Sequence, residues 1–326
     1  MHIPDGFIDG KTALTAAAIS AAGVGLALRQ VRRDLPARRM PLLGLAAAFL
    51  FAAQMVNFPV AGGTSGHLMG GVLVAALLGP SAAVVVLTTV LIVQCFLFAD
   101  GGVSALGANV LNMGILGAGG GYLVYRLVAG RMKGSRGRVT GIAFGGWCST
   151  VLASIGCAGQ LAWSHTVSWS TGFTMMTSTH MLIGIGEGVI SALAYVAIQR
   201  TRPDLIPELV KSAESGSRAE SGRRGELLSY GLLVALAVAV FVAPFACPLP
   251  DGLQVVAARL GFDRRAAGTA FSAAAPNYRL PGIHSAAGAT ALAGALGTVV
   301  VFGLAVLLGH VLVRKTSLGS PKDPTC

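Results

Sequence analysis

Charged residues are scarce in this chain: they make up 11% of its 326 residues, whereas 54% are hydrophobic. An average soluble domain has about 25% charged residues. The shortage excludes an ordinary soluble domain and predicts an integral membrane protein. Histidine is also rare, with six in the whole chain, so the histidine at position 2 needs an explanation.

Cysteine is rare as well, and the five cysteines form no Cys-x-x-Cys pair, which excludes a disulfide framework and a thiolate metal site. The glycine-rich stretch GAGGG at 117–121 lacks the Lys-Ser/Thr of a phosphate-binding loop. We therefore expect this chain to bind no nucleotide and to hydrolyse no ATP. A His-Glu-x-x-His motif is missing too, which argues against an intramembrane metalloenzyme.

Long apolar runs, by contrast, are abundant. A helix of about 20 apolar residues crosses a bilayer, and the runs predict nine spans, of which the third is short. They lie at 11–31, 40–57, 67–80, 81–99, 105–127, 139–163, 180–199, 228–247 and 286–313. No basic segment precedes the first run and no small-residue cleavage site follows it, so we expect a retained span rather than a signal peptide.

The net charge of +11 is unevenly distributed. Most of the 24 Lys and Arg lie in 29–39, 126–138, 200–226 and the C-terminal tail. Nine spans put these four segments on one side of the membrane, which the positive-inside rule makes cytoplasmic. The N-terminus and the loop that carries His67 are then outside, and the basic segments are explained without a nucleic-acid partner.

A charged segment rich in Ser, Gly and Glu at 201–226 has the composition of a linker. It separates a seven-span module at 1–200 from a two-span hairpin at 227–315, which a tail at 316–326 follows. In the outside loop of the hairpin, Asp251 is positioned to cap a short helix whose apolar residues recur at helical spacing. We expect that helix to lie over the outer mouth of the protein.

The opening MHIPDG offers three nitrogen donors in sequence: the α-amine of Met1, the backbone amide nitrogen of His2 and Nδ1 of His2. They would close a five-membered and a six-membered chelate ring around one metal ion, with His67 as the candidate fourth nitrogen. Four nitrogens in a plane suit Ni(II) or Cu(II), which promote loss of the amide proton, and disfavour zinc. We expect Met1 to be retained, because removal of an initiator methionine generally requires a small second residue.

An alternative interpretation of the same residues needs no metal. His2 would then belong to a frayed tail, and His67 would be an interfacial side chain. Two features favour the metal site. Pro4-Asp5-Gly6 is a turn signal that would fold the tail back, and the glycines just before His67 let the backbone approach closely.

Polar residues in or beside the apolar spans of the first module are the remaining candidates. Asp100 and Glu187 are acids there, and an intramembrane ionisable group favours a function, although Glu187 would equally bond a neighbouring helix. The amides favour bracing of helices or orientation of ligands, and His180 would support the metal ligands. The set is Asn57, Gln94, Asp100, Asn109, Asn112, His180 and Glu187.

Four stretches in order resemble the CbiM/NikM family, the substrate-binding membrane subunits of energy-coupling-factor transporters for cobalt and nickel. They are MHIPDGFI at 1–8, VNFPVAGGTSGHLMGG at 56–71, FADGGVSALGANVLNMG at 98–114 and HMLIGIGEGVI at 180–190. The hairpin resembles the PDGLE domain that is often fused to such subunits. Here it reads PDGLQ, with Gln254 in place of the family's glutamate, which leaves the role of that carboxylate open.

The resemblance implies an all-α integral membrane fold, a seven-helix bundle plus the two-helix hairpin, whose N-terminal loop holds Ni(II) or Co(II) as substrate in a square plane. The implied ligands are Met1 through its amine, His2 through amide and imidazole, and His67 through imidazole. Implied partners are membrane lipid, a transmembrane coupling protein and two cytoplasmic ABC-type ATPases. The chain would be a transport subunit, not an enzyme, of a bacterial or archaeal plasma membrane, with its C-terminus in the cytoplasm.

A proton-coupled carrier of a divalent transition metal is the second interpretation, with Asp100 and Glu187 as the proton-carrying groups. Such a carrier would work alone in vesicles, whereas a coupling-factor subunit needs its ATPases. The choice between nickel and cobalt stays open. Nickel is favoured, because four in-plane nitrogens suit its low-spin d⁸ ion.

Overall fold

The computed structural model describes residues 1–132, 134–206, 222–268 and 272–312, and these residues are mostly helical. The α-helices, in chain order, are α1 (Gly10–Asp34), α2 (Met40–Gln54), α3 (Gly71–Leu78), α4 (Pro80–Phe98), α5 (Leu106–Asn109), α6 (Gly121–Arg131), α7 (Gly134–Trp163), α8 (Trp169–Thr201), α9 (Gly222–Ala237), α10 (Gly252–Leu260) and α11 (Ala286–Leu312). π-Helical turns at Val110–Gly120 and Val238–Val242 continue α5 and α9, and the two strands are β1 (Phe58–Val60) and β2 (Thr64–Gly66). Short 3-10 turns are Ala37–Arg39, Pro203–Leu205, Ala243–Phe245, Asp263–Arg265 and Pro276–Tyr278.

Six helices in the described part of the chain are long and apolar enough to cross a membrane. They are Gly10–Asp34, Pro80–Phe98, Gly134–Trp163, Trp169–Thr201, Gly225–Phe245 and Ala286–Leu312. α2 is apolar but shorter, and α5, the π-helical segment and α6 follow one another without a break. The prediction of a mostly helical, multi-pass membrane protein is confirmed.

The predicted third span, at 67–80, is not a continuous membrane-crossing helix. α3 has 8 residues, or about 12 Å of helix, against a bilayer core of about 30 Å. Gly70 and Gly79, with φ of +68° and +95°, flank it in conformations that favour glycine, and Pro80 starts α4. The chain before α3 forms the antiparallel β1–β2 hairpin, so the all-α prediction misses one small sheet.

Glycines let the helices of the first module pack closely. α7 lies against both α6 and α8. A Cβ on Gly121 would lie 2.7 Å from the carbonyl oxygen of Gly145, and one on Gly188 would lie 2.4 Å from that of Ala143. Backbones can approach to this distance only where the side chain is a hydrogen atom, as is typical of contacts between membrane helices.

The C-terminal hairpin packs against the first module through its two long helices and through the short helix in its loop. α9 and α11 lie against α2, and α10 lies against α8 and β2. The predicted linker at 201–226 falls mostly outside the described residues, although α9 already begins at Gly222, and the predicted tail at 316–326 falls wholly outside them.

Hydrophobic side chains of the N-terminal loop and of the hairpin share one buried cluster. Ile3 and Phe7 belong to it, together with Leu253 of α10 and Phe262 just after that helix. The rings of Phe7 and Phe262 meet edge to face, with centroids 5.0 Å apart. The predicted helix in the hairpin loop therefore covers the N-terminal loop.

Candidate metal centre

Residues 1–9 fold into the bundle ahead of α1. Ile3 is fully buried, and its backbone is fixed on both sides. Its N–H donates to Oδ1 of Asn109 at 2.8 Å, and its carbonyl accepts from the Gly102 N–H at 2.8 Å and from Nδ2 of Asn109 at 3.2 Å. Asn109 thus holds the residue that follows His2, so the position of His2 is set by the bundle.

The predicted turn at Pro4-Asp5-Gly6 is present and directs the loop inward. The carboxylate of Asp5 accepts from the backbone N–H of Ser104 at 2.8 Å. Gly6 has a φ of +89°, and a Cβ there would lie 2.1 Å from the carbonyl oxygen of Arg265. Both the left-handed backbone and the contact with the hairpin loop therefore require glycine at this position.

The amine of Met1 lies between an imidazole and a carboxylate. Its nitrogen is 3.1 Å from Nε2 of His67 and 3.1 Å from Oδ2 of Asp251. The residue is 7% exposed, so these contacts lie inside the protein. Because Asp251 caps α10, the hairpin reaches the N-terminus of the chain directly.

Oxygen acceptors face both ring nitrogens of His2. Nε2 lies 3.1 Å from Oε1 of Gln94, and Nδ1 lies 3.3 Å from Oδ1 of Asp100. The amide of Gln94 is oriented by a chain of contacts, since its Nε2 donates to Gln54 at 2.9 Å, and Gln54 donates to the Met69 carbonyl at 3.3 Å. A carbonyl can only accept, so this chain turns the oxygen of Gln94 toward the histidine.

A neutral imidazole carries one N–H, and an oxygen acceptor faces each ring nitrogen of His2, so either tautomer makes one hydrogen bond. A cation at Nδ1 would select the tautomer in which Nε2 donates to Gln94. Burial lowers the pKa of His2 and outweighs the opposing charge of Asp100, so the ring is neutral near pH 7. In that tautomer, Nδ1 is the ring nitrogen that is available to a metal ion.

His67 follows β2, and its ring lies against that of His2, with centroids 5.5 Å apart and planes 20° from parallel. Burial, then the nearby amine of Met1, holds the pKa of His67 well below its ordinary value. A neutral ring is the form that binds metal. Nδ1 lies 3.4 Å from the Leu68 carbonyl, and Nε2 is the nitrogen that faces the amine.

Glu187 of α8 fixes the backbone just after His67. Its buried carboxylate accepts from the N–H of Met69 at 2.5 Å and from that of Gly70 at 2.9 Å. Hydrogen bonds from backbone N–H groups to a carboxylate are among the stronger ones in proteins. These two hydrogen bonds explain why a carboxylate is buried here: it supports the loop that carries His67.

Asp100 connects His2 to the hairpin. The hydroxyl of Tyr278 donates to Oδ2 of Asp100 at 2.5 Å, and its ring stacks on Phe98 with centroids 4.8 Å apart. Burial, with the charge of Asp100, holds the pKa of Tyr278 well above its ordinary value, so the hydroxyl remains a donor. Sequence reasoning missed Tyr278 because no local pattern joins residues so far apart in the chain.

Asp251 has two partners. The predicted cap of α10 is confirmed: Oδ1 accepts from the Gln254 N–H at 2.8 Å, and Oε1 of Gln254 accepts from the Asp251 N–H at 3.1 Å. Glutamine thus makes the capping contact that a glutamate would make. Burial alone would raise the pKa of Asp251, but the charged amine of Met1 and the Gln254 N–H hold it well below its ordinary value. The contact with Met1 had no signal in the sequence.

Two of the predicted amides lie away from the amine. The side-chain amides of Asn112 and Gln160 each donate a hydrogen bond to the other, at 2.8 and 2.9 Å, and so connect the π-helical segment to α7. Asn57 contributes its backbone carbonyl, which accepts from the Cys247 N–H at 2.9 Å. The amide of Asn112 thus braces two helical segments, which is one of the two roles expected of the amides, whereas the contact of Asn57 is made by its backbone alone.

A small cavity of about 20 Å³ lies beside the amine of Met1. The buried ring of His180, on α8, is part of its wall. Its lining is Met1, Ser65, Gly66, His67, Met69, Thr150, His180, Ile183, Asp251 and Gly252. Within the described ranges, no three His, Cys, Asp or Glu side chains form a metal cluster, so a complete ligand set for one ion would need the amine or backbone nitrogens as well.

The helices and the buried, nitrogen-rich centre define a multi-pass membrane protein with a candidate metal site. A solved structure described as a transition metal transporter is 30% identical, with a TM-score of 0.57, and the match covers 66% of this chain and 98% of that chain. The chain belongs to the CbiM family, the cobalt uptake substrate-specific transmembrane region, which matches residues 2–205. The PDGLE domain matches residues 225–314, so the resemblance to a fused CbiM/NikM subunit is confirmed.

Some relatives are named for nickel transport and others for cobalt transport. The putative fused nickel transport protein NikMN of Archaeoglobus fulgidus is 35% identical, and the match covers 94% of this chain and 98% of that protein. The putative cobalt transport protein CbiM of Methanococcus voltae is 32% identical, and the match covers 67% of this chain and 99% of that protein. The fused organisation is thus shared with the first relative along nearly its whole length.

Proposed function

We propose that this chain is the substrate-specific membrane subunit of an energy-coupling-factor importer, which captures Ni(II) or Co(II) at the extracytoplasmic face. The observation that carries the proposal is the 3.1 Å approach of the Met1 amine to Nε2 of His67, with the ring of His2 stacked beside it. Nitrogen donors of these kinds suit both metals. Family membership and relatives named for nickel and cobalt transport support the choice of cargo.

In the proposed complex, one ion is bound by the amine of Met1, the deprotonated amide and Nδ1 of His2, and Nε2 of His67. Two nitrogens about 2.0 Å from one ion, at neighbouring corners of a square, lie about 2.8 Å apart. The observed 3.1 Å between the amine and Nε2 of His67 is close to that spacing. His67 would take the corner between the amine and Nδ1, which is the one that the chelate of the first two residues leaves open.

The metal ion in this proposal is nickel first and cobalt second. Loss of the amide proton and a plane of four nitrogens suit a low-spin d⁸ ion, whereas Zn(II) prefers a tetrahedron. The ion is the cargo and not a resident cofactor, so its affinity has to be strong enough for capture and its release has to follow a change in the site.

The proposed organisation assigns capture to residues 1–200, a bundle of seven helices in which α3 is short. Residues 227–315 form a hairpin module that covers the site from outside. ATP is bound by two partner ATPases, and a transmembrane coupling subunit connects them to the bundle. The N-terminus would face outward and the C-terminus the cytoplasm of a bacterial or archaeal cell.

The test of the proposal is an extension of the chain by two residues before Met1. The extension turns the terminal amine into an amide and moves the histidine to position 4, which breaks the chelate while every side chain remains. After nickel loading and desalting, we expect about one ion per chain in the native protein and almost none in the extended one, by elemental analysis. Intact mass would verify both N-termini.

The control for this experiment is His310→Ala, which removes an exposed histidine on α11. Its nickel content should equal that of the native protein. Equal content in the native and extended proteins would show that the opening residues are not ligands, and the proposed site would be wrong.

A further inference from the structure

We infer that the cavity beside the Met1 amine is a second, weaker binding position for a divalent transition metal ion. Its donors are Nε2 of His180 and the carboxylate of Asp251, and the ion passes through it to the amine-anchored site. The inference rests on the proposed function for the identity of the cargo. Its own support comes from three observations: a buried imidazole nitrogen without a hydrogen-bond partner, a cavity of the right size and a carboxylate that already faces the Met1 amine.

The imidazole nitrogen without a partner is Nε2 of His180. Its ring is 1% exposed, and Nδ1 lies 2.8 Å from the carbonyl oxygen of Met176. Because a carbonyl only accepts, Nδ1 carries the ring proton and Nε2 is left as a bare acceptor. Among the described residues, Nε2 has no hydrogen-bond partner. Buried polar groups in native proteins are nearly always satisfied, so this nitrogen points to a guest that is not part of the chain.

The cavity has room for such a guest. Its volume of about 20 Å³ accommodates one water-sized particle. His180 and Asp251 both line it, and the glycine after Asp251 lets the two elements meet. A Cβ on Gly252 would lie 3.0 Å from Nε2 of His180, so any larger residue would crowd the nitrogen. α10 therefore approaches α8 at the point where the unpartnered nitrogen lies.

The chemistry of the wall favours a cation. An imidazole nitrogen and a carboxylate are common ligands for Co(II), Ni(II) and Zn(II). Asp251 already faces a positive group, the Met1 amine, at 3.1 Å. An ion in the cavity would take the place of the amine as the cationic partner of Asp251. Because Asp251 belongs to the hairpin, the position exists only while the hairpin is docked.

Two variants remove one donor each and keep the fold. His180→Gln deletes the imidazole, and Asp251→Asn deletes the charge while asparagine still caps α10. Thr150→Val is the control, because it changes the cavity wall without touching either donor. In the full-length protein, we expect nickel to enter the amine-anchored site at least tenfold more slowly in both donor variants, by stopped-flow absorbance. The final nickel content and absorption band of His180→Gln should match those of the native protein, and the control should load normally.

A second measurement separates this inference from the proposed function. The chain extended by two residues lacks the amine-anchored site, so equilibrium dialysis against raised Co(II) should detect weak binding that His180→Gln and Asp251→Asn each abolish. Normal loading rates in both donor variants would overturn the inference. An extended chain that holds no cobalt would also overturn it, and the occupant of the cavity would then be a water molecule. Tight binding by the extended chain would instead overturn the proposed function.

Discussion

At the scale of single residues, Gln94 supports the tautomer of His2 in which Nδ1 is open to a metal ion. Its amide is oriented through Gln54 by the carbonyl of Met69, and its oxygen accepts from Nε2 of the histidine. Metal-binding histidines typically donate their second N–H to an oxygen acceptor, which fixes both tautomer and ring orientation. The amides of Gln94 and Gln54 and the carbonyl of Met69 thus cooperate to support this tautomer, and none of the three is a proposed metal ligand.

Replacement of this glutamine tests that role. Gln94→Met keeps the volume and removes the acceptor, so the ring of His2 is free to rotate or to change tautomer. We expect nickel affinity to fall by about 10- to 100-fold, measured by competition with a chelator of known affinity. Gln160→Met is the matched control, because it breaks an amide pair with Asn112 away from the amine. Native affinity in Gln94→Met would contradict the assigned role.

At the scale of secondary-structure elements, α8 supports the centre from one side. It carries Glu187, which holds the loop after His67, and His180, which lines the cavity. The two residues are seven positions apart, or about two helical turns, so they share one face of the helix. The β1–β2 hairpin and α10 complete the enclosure, with the Ser65 N–H donating to the Pro250 carbonyl at 2.8 Å.

The support from α8 is tested by Glu187→Gln. Two backbone N–H groups face the carboxylate, and a glutamine offers them one oxygen and one repulsive NH₂ group. We expect a loss of about 1–3 kcal/mol in stability, seen as a lower melting temperature in detergent, together with weaker nickel binding. Ser191→Ala is the control, because its hydroxyl lies 3.5 Å from Glu187 and contributes little. Unchanged melting and binding would refute the supporting role.

At the scale of the whole molecule, the two modules enclose the N-terminus together. Met1 contacts His67 of the first module and Asp251 of the second, and Tyr278 of the second module bonds Asp100 of the first. The carbonyl of Asp5 accepts from the Ala267 N–H at 2.8 Å. The hairpin is therefore part of the centre and not an appended unit.

Uptake by reconstituted vesicles distinguishes the two transport interpretations. We expect the chain alone to accumulate no nickel and the complex with its coupling subunit and two ATPases to accumulate it when ATP is supplied. A pH gradient without ATP should have no effect, since Asp100 already accepts a hydrogen bond from Tyr278, and Glu187 from the loop that carries His67. Uptake by the chain alone, driven by the gradient, would favour the proton-coupled carrier. The N-terminally extended chain in the full complex is the inactive control.

Much of the fold followed from local features of the sequence. Apolar length predicts helices that cross a bilayer, Pro4-Asp5-Gly6 predicts a turn, and Asp251 predicts a cap, because each depends on a few consecutive residues. The prediction of a full-length helix at 67–80 failed for the same reason: hydropathy counts apolar residues and does not register that Gly70 and Gly79 delimit a short helix.

The sequence by itself determined a multi-pass helical protein, and it predicts a nitrogen-rich N-terminus near His67. Only the tertiary structure decided the partners of these groups. Gln54, Asp251 and Tyr278 join the centre through contacts between residues far apart in the chain, which no periodicity or motif encodes. Burial selects them, because a polar group removed from water has to find a partner wherever the packing of helices provides one.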